Sequence, residues 1–420
     1  MSMEAIGSHL TRNRGMLGAM RYPEYRKYWF ATLASVIGFQ MVTFSQLWLI
    51  RQLEKDPIWL GSVGLATGMP AIVLNLFGGV VADRLDQRRL IMATQTASAT
   101  LILLLATLTL LGIVQVWHVL VIAFCNGTVQ AFDQPARQAI LPHLIDRKDL
   151  MNAVALNSSI WQGTRIVAPM LAGLIIAAAG TEASLYAGSA GFLSMVFLIS
   201  RLKVPQIERP THGTPLQNLL QGARFVRDNS LFSSLIGMTF FNSFFGLAYI
   251  QLMPIFAVDI LHKGATAQGT LAGAGGIGAL LGTAAVALMG RFAHRGWLLL
   301  GGSAIFGGFV VAFGLSHWYY VSIGLLFLAG FSQSVYMISV MSTLQARVPD
   351  QLRGRVMGIY GMTYNIMPVG GMASGLIASS LGAPFAVALG GSAVSGFAFL
   401  SGAFNRRVRR LGSEPVPAEA

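Results

Sequence analysis

Charged residues are scarce in this chain: 11% of its 420 residues are Asp, Glu, Lys or Arg, whereas a soluble domain carries roughly a quarter. That shortage, with 54% hydrophobic residues and a mean hydropathy of +0.62, excludes a soluble globular chain and a disordered one alike. Cysteine is nearly absent. Cys125 stands alone in an apolar run, so neither a disulfide nor a thiolate metal site forms within the chain. The seven His residues sit in loops or near the ends of apolar runs, and neither H-E-x-x-H nor G-x-S-x-G occurs. A metal centre and a nucleophilic hydrolase are therefore unsupported. No G-x-x-x-x-G-K-S/T loop is present, which removes P-loop ATP hydrolysis as an energy source, and no cofactor or enzymatic activity is implied.

What the chain has instead is apolar runs of about 20 residues, the length a helix needs to cross a ~30 Å hydrocarbon layer. They fall at about 28–50, 58–82, 90–113, 116–134, 152–179, 184–201, 231–257, 266–290, 297–316, 318–343, 356–380 and 384–404. The expected fold class is thus an all-α membrane protein with twelve transmembrane helices. With both termini cytoplasmic, the outward loops hold only Arg51, Lys55 and Lys263, and Arg165 lies inside a span. Every other Lys and Arg of the 29 faces the cytoplasm, which is the positive-inside pattern. The first 27 residues contain Arg12, Arg14, Arg21, Arg26 and Lys27 without an apolar core, and read as a cytoplasmic segment, not a signal peptide. The net charge of +13 sits in short membrane-flanking loops without stacking aromatics, so anionic lipid headgroups, not nucleic acid, are its expected partners.

A shift of 202 residues superimposes the ends of two halves: Leu150 on Leu352, Val167 on Val369, Gly173-Leu174-Ile175 on Gly375-Leu376-Ile377 and Gly180 on Gly382. The expected division is an N-terminal segment 1–27, a six-helix bundle 28–201, a cytoplasmic linker 202–230, a second six-helix bundle 231–404 and a tail 405–420. Within the linker, Leu216 to Arg227 has helical apolar spacing with basic residues between, as in a helix lying on a membrane surface, and equally as in a solvated linker. Two similar bundles around a midplane site can rock between inward and outward access.

Between the second and third spans stands Gly78-Gly79-Val80-Val81-Ala82-Asp83-Arg84-Leu85-Asp86-Gln87-Arg88-Arg89. This loop resembles the signature of the major facilitator superfamily, Gly-x-x-Ala-Asp-Arg followed by basic residues, with Asp86 and Gln87 replacing the usual later Gly and basic residue. Asp133-Gln134-Pro135-Ala136-Arg137, Asn152-Ala153-Val154-Ala155-Leu156-Asn157 and Gly222-Ala223-Arg224-Phe225-Val226 narrow the likeness. They are similar to the branch containing the enterobactin exporter, the transmembrane secretion effectors, and the likeness runs from about Arg21 to Arg406. The resemblance implies a cytoplasmic gate in which Gly79 gives close helix approach and Asp83, Arg84, Arg88, Asp133 and Arg137 form ion pairs that part when access changes. It also implies that the first, fourth, seventh and tenth helices rim the cavity.

Asn126, Gln130, Asp133 and Arg137 are spaced by four, three and four, one polar stripe that must face a cavity or a neighbouring helix. Asp133 pairs either with Arg137 one turn on or with the loop arginines. It is also the acid expected to carry proton coupling. Arg165, buried in a span at a cost of ~2.5–3.5 kcal/mol on insertion scales, calls for a partner or a wet cavity. Asn157, Trp161 and Arg165 share a face, read as cavity-lining, where Arg165 would meet an anionic substrate group. Gln40, Gln46, Asn242, Gln333, Tyr336, Tyr364 and Asn365 complete the candidate surface. The pattern Gly273-Ala274-Gly275-Gly276-Ile277-Gly278 fits a dinucleotide fingerprint, but inside an apolar span it means close helix packing. The expected function is proton-coupled export of a small amphipathic molecule, siderophore-like or drug-like, by a monomer among membrane lipids. An importer or lipid-moving carrier is the alternative, and a sensor that does not transport is a third reading.

Overall fold

The computed structural model describes residues 16–202, 223–289, 295–409 and 411. Its regular structure there is helical. After a 3-10 turn at Met16–Arg21 come α1 (Pro23–Leu53), α2 (Ile58–Arg84), α3 (Gln87–Leu110) and α4 (Val116–Ile140). The run Leu150–Ser200 is broken at Gly180 into α5 (150–179) and α6 (181–200). Beyond the linker are α7 (Ser230–Ile260), α8 (Ala265–Met289), α9 (Arg295–Leu315) and α10 (Tyr319–Arg347). Next, α11 comprises Asp350–Tyr364 and Met367–Leu381, followed by α12 (Ala383–Phe404) and a short turn α13 (Arg406–Arg409). Among the described residues eight helices are long and apolar enough to cross a membrane. Of the linker helix expected over 216–227, residues 223–228 are helical and the remainder lies outside the described residues.

The positions paired by the 202-residue shift share an unusual backbone. Gly180 has φ 89° and Gly382 φ 88°, and in both places one helix turns straight into the next. A side chain there would be strained, so glycine permits a connection almost without a loop. Neighbour relations repeat as well. α3 packs on α4 and on the α5–α6 run, and α2 on α4; correspondingly, α9 packs on α10 and α12, and α8 on α10. The seventh helix departs from the uninterrupted span expected at 231–257. It alternates α-helical stretches, Ser230–Phe241 and Tyr249–Ile255, with π-helical turns at Asn242–Gly246 and Phe256–Ile260. The second π turn follows Pro254, which has no N–H for the regular ladder.

The apolar core is divided unequally. At the end away from the basic loops, one continuous cluster joins Ile50, Leu60 and Val63 to Leu252, Met253 and Phe256, and so joins α1 and α2 to α7. Toward the basic loops the core splits. One cluster contains Tyr25, Tyr28, Ile91 and Ile199, the other Leu235, Leu299, Val340 and Val356, and neither includes residues from the other part of the chain. Polar contacts add to the joined end: Arg51 to Asp259, Ser62 to Met372 and Thr266 to the Gly173 carbonyl link the two parts there. Meanwhile Gly163, Gly354 and Gly358, toward the basic end, face open space.

At the basic end, Asp86 caps α3 by accepting from the Arg89 N–H at 3.0 Å, a bond of a kind worth about 1 kcal/mol. Arg88 donates to the carbonyls of Ile199 (3.1 Å) and Ser200, placing a cation on the last turn of α6. The N-terminal turn is held by Arg21 on Asp149 and by the Tyr22 hydroxyl, 2.8 Å from both Asp146 and Asp149. The Tyr22 hydrogen bond, helped by Lys148, holds the Asp146 carboxyl below its ordinary range. A depressed carboxyl contributes stability above its ordinary titration range and loses it as pH falls through its folded value. The protection factors of residues 16–22, their exchange rates taken relative to the intrinsic rate at the same pH, are accordingly expected to fall on acidification into the carboxylate range, and Tyr22→Phe to lower them already at neutral pH. Equal protection in both chains across the range would refute the tether.

Candidate substrate cavity and buried ion pair

Between α1, α5, α7, α8 and α10 lies a cavity of about 150 Å³. Its polar wall is Gln40 on α1, Gln162 and Arg165 on α5, Tyr249 on α7, and Gln333 and Ser334 on α10, while Met253, Leu271 and Met337 supply apolar surface. Among the described residues no Asp or Glu lines it. The Arg165 side chain is exposed to this space and has no ion-pair partner among the described residues. Gln40 is oriented by donating to the Thr164 hydroxyl at 3.1 Å. Two prolines shape the wall. Pro169 offers no N–H to the Arg165 carbonyl one turn earlier, and Pro254 none to that of Ile250. Both of those residues line the cavity, so two helix carbonyls beside it lack their usual donor.

The glycines of α8 let this wall form. Gly269, Gly273 and Gly276 face α5, and a Cβ on Gly276 would lie 3.2 Å from Ile166 Cα and 3.4 Å from the Arg165 carbonyl. On the opposite side Gly275, Gly278 and Gly282 meet α10. The dinucleotide-like pattern is thus a two-sided packing surface, and its close approach to α5 puts Arg165 at the helix crossing.

A second polar centre is enclosed. Arg137 Nε donates to Asp133 Oδ2, while the Asp133 Oδ1 atom accepts from Thr94 Oγ1 (2.7 Å) and Gln95 Nε2 (3.0 Å). Arg137 Nη2 reaches Ser35 Oγ at 2.7 Å, and that hydroxyl donates to Gln95 Oε1 at 2.8 Å, closing a ring over α1, α3 and α4. Tyr28 adds a bond to the Arg137 carbonyl at 3.0 Å. Asp133 is 0% exposed and does not line the cavity, so of the two settings open to the stripe this residue takes the neighbouring helices. Donors contributed by α1 and α3 decide the direction. Of the two pairings open to Asp133, that with Arg137 forms, Pro135 between them notwithstanding, and Arg88 is engaged instead by the α6 carbonyls described above. Gly79, Asp83 and Arg84 fall on α2, but their side chains lie outside the described residues.

The expected cavity residues divide. Gln40, Arg165 and Gln333 meet around one space; Gln162, Tyr249 and Ser334 join them without having been singled out. By contrast, Gln46, Asn126, Asn242 and Tyr336 are at most 4% exposed and packed between helices, so their placement in the cavity is corrected. Tyr336 is held there by Thr239, 3.2 Å between hydroxyls. Gln130, Asn157, Trp161, Tyr364 and Asn365 are half-buried and outside the lining, with Trp161 set edge-on to Phe39 and Tyr364 paired with Tyr360 at 3.0 Å.

Comparison with solved structures shows what this helix arrangement resembles. A bacterial homolog to the human lysosomal transporter Spinster, in an inward-facing and unoccupied conformation, matches with a TM-score of 0.73 at 15% identity, covering 95% of this chain and 99% of that one. Nucleoside transporter NupG matches with a TM-score of 0.70 at 15% identity, covering 91% and 99%. At such identity the likeness concerns the fold. Among curated proteins, the enterobactin exporter EntS of Shigella flexneri is 24% identical over 342 residues, 81% of either chain, and that of Escherichia coli O9:H4 (strain HS) is 24% identical over 343. The family model for transmembrane secretion effectors matches residues 15–415. Spanning nearly the whole sequence, that match places the chain in the transmembrane secretion effector family, among membrane transporters of the major facilitator type.

Proposed function

We propose that the chain is a secondary active exporter of a small amphipathic molecule, built of twelve spans in two six-helix halves and working by alternating access in a bacterial inner membrane. The observation that carries this reading is the unequal core, joined away from the basic loops and split beside them around a cavity lined from both parts of the chain. With the basic loops cytoplasmic, this split supports an inward-open state that loads from the cytoplasm. Family membership and the exporter relatives support the outward direction. The test is a comparison of metabolites in media from cells with and without the protein, followed by uptake of the enriched compound into inside-out vesicles. Uptake only into right-side-out vesicles would reverse the direction, and none in either would end the transport reading.

The cytoplasmic gate stays part of the proposal through Asp83 and Arg84, at the C-terminal end of α2. Asp83→Ala is expected to lower transport several-fold at equal membrane content, and normal transport by that variant would remove the gate role. Proton coupling has its candidate in Asp133, which is paired with Arg137 here and would take up a proton only in an alternate state where that pair parts, giving it up when the pair re-forms. In proteoliposomes with an imposed pH gradient, Asp133→Asn should then abolish accumulation while downhill exchange persists. An unchanged response to the gradient would confine Asp133 to structure.

A further inference from the structure

Resting on the carrier reading, the cavity's charge points to its cargo. We propose that Arg165 makes this a carrier for monoanions: the cargo brings a carboxylate, sulfonate or phosphoester that meets the guanidinium, attached to an apolar body that lies against α7, α8 and α10.

Three observations converge. First, Arg165 is a fixed cation with no acidic neighbour on the cavity wall and no ion pair among the described residues. Arg137, buried between helices in this part of the chain, has by contrast Asp133 beside it and a ring of donors around both. The fold therefore supplies a counterion where an arginine serves packing and omits it at the cavity. Second, the remaining polar wall is neutral: Gln40, Gln162, Gln333, Ser334 and Tyr249 offer N–H and O–H groups that can complete the shell of an anion. A guanidinium binds carboxylate and phosphate oxygens in a two-pronged geometry, so one residue fixes both charge and orientation. Third, the apolar wall of Met253, Leu271 and Met337 adjoins this polar end and suits a body of aliphatic or aromatic carbon.

Alternating access gives the missing counterion a consequence. In the open state water hydrates Arg165, but closure withdraws it, and an isolated cation is costly to enclose. An anion in the cavity removes that cost and the empty carrier has no equivalent, so loading favours closure and the reorientation that follows. A neutral analogue of the same shape fills the cavity without supplying this charge. The carrier thus selects its cargo in binding and again in closure.

The full chain purified into lipid nanodiscs tests this with 4-phenylbutyrate and 4-phenylbutyramide, two probes of nearly equal shape that differ in charge, read by thermal stabilisation over a concentration series. Wild type is expected to bind the carboxylate at least about tenfold more tightly than the amide. Arg165→Gln should lose that preference with its affinity for the amide retained, whereas Arg165→Lys, which keeps the charge, should keep the preference. Gln162→Glu gives an independent variant if Arg165→Gln yields no folded protein. It places an acid one helical turn from Arg165 and should weaken carboxylate binding as an internal competitor. Equal binding of both probes by wild type, no binding of the carboxylate, or an unchanged preference in Arg165→Gln or Gln162→Glu would each overturn the proposal. Anion preference in a protein that moves nothing across vesicles would leave this site standing and defeat the carrier reading. Transport of compounds irrespective of charge would do the reverse.

Discussion

Replacing Asp133 with alanine is expected to destabilise the protein by about 3–5 kcal/mol, the usual cost of breaking a buried ion pair and leaving one charge behind. Arg137 would remain enclosed, with its side chain 7% exposed and only the Ser35 hydroxyl of its present side-chain partners retained. Its Nη1 atom already has no partner among the described residues, so the guanidinium has little to fall back on. The loss would not stay local, because Gln95 Nε2 on α3 loses its acceptor and Thr94 is left with the Leu90 and Ile91 carbonyls of its own helix. A thermal unfolding midpoint measured in detergent would fall well below that of wild type. The control is the double variant Asp133→Leu with Arg137→Met. Exchanging a buried ion pair for apolar residues of similar volume is often neutral or stabilising, so much of the lost stability should return. If the single variant unfolds like wild type, the ring over α1, α3 and α4 is not holding those helices.

That ring also shows what a linear sequence can and cannot disclose. Pairing of Asp133 with Arg137 is legible, since residues four apart on a helix are neighbours. Ser35, Thr94 and Gln95 are not, because each is an isolated hydroxyl or amide in its own span and becomes a partner only when three helices meet. The same limit separates Gln40 and Gln333, which line the cavity, from Gln46, Asn126 and Asn242, which do not. In a membrane helix the lipid-facing and protein-facing sides are both apolar, so no contrast in hydropathy marks the side that meets water. Arg165 was readable because its cost in a span demands a wet or paired site. Gln162 carried a signal as well, three residues before Arg165 and hence on its face, but a stripe counted only in steps of four passes over it. The packing role of the α8 glycines could be foreseen from their density in an apolar run. Their two-sided use, on α5 and on α10, could not.

The second large effect is expected where the two parts of the chain touch. A Cβ on Gly61 of α2 would lie 2.8 Å from Met372 Cα and 2.9 Å from the Gly371 carbonyl of α11. At the crossing of α5 and α8, a Cβ on Gly269 would lie 2.6 Å from the Pro169 carbonyl, and one on Gly173 2.5 Å from the Ala265 carbonyl. These neighbours are backbone atoms, which cannot swing aside as a flexible side chain can. Gly61→Val therefore requires α2 and α11 to separate, and a carrier that alternates has a state in which they do. The substitution should shift the population toward access from the face opposite the basic loops, where about 1.4 kcal/mol changes the ratio of states tenfold. The readout is labelling by a membrane-impermeant maleimide applied to that face, with a reporter cysteine introduced as Gln333→Cys after Cys125→Ser. About tenfold faster labelling is expected in Gly61→Val. Gly278→Val provides the contrast, because Gly278 meets Phe327 of α10 within the same part of the chain and no change of access relieves the clash. That variant should lose folded yield with no gain in labelling. A folded Gly61→Val whose reporter is labelled no faster than in its parent would mean that the glycine contacts between α2 and α11 do not hold that face shut.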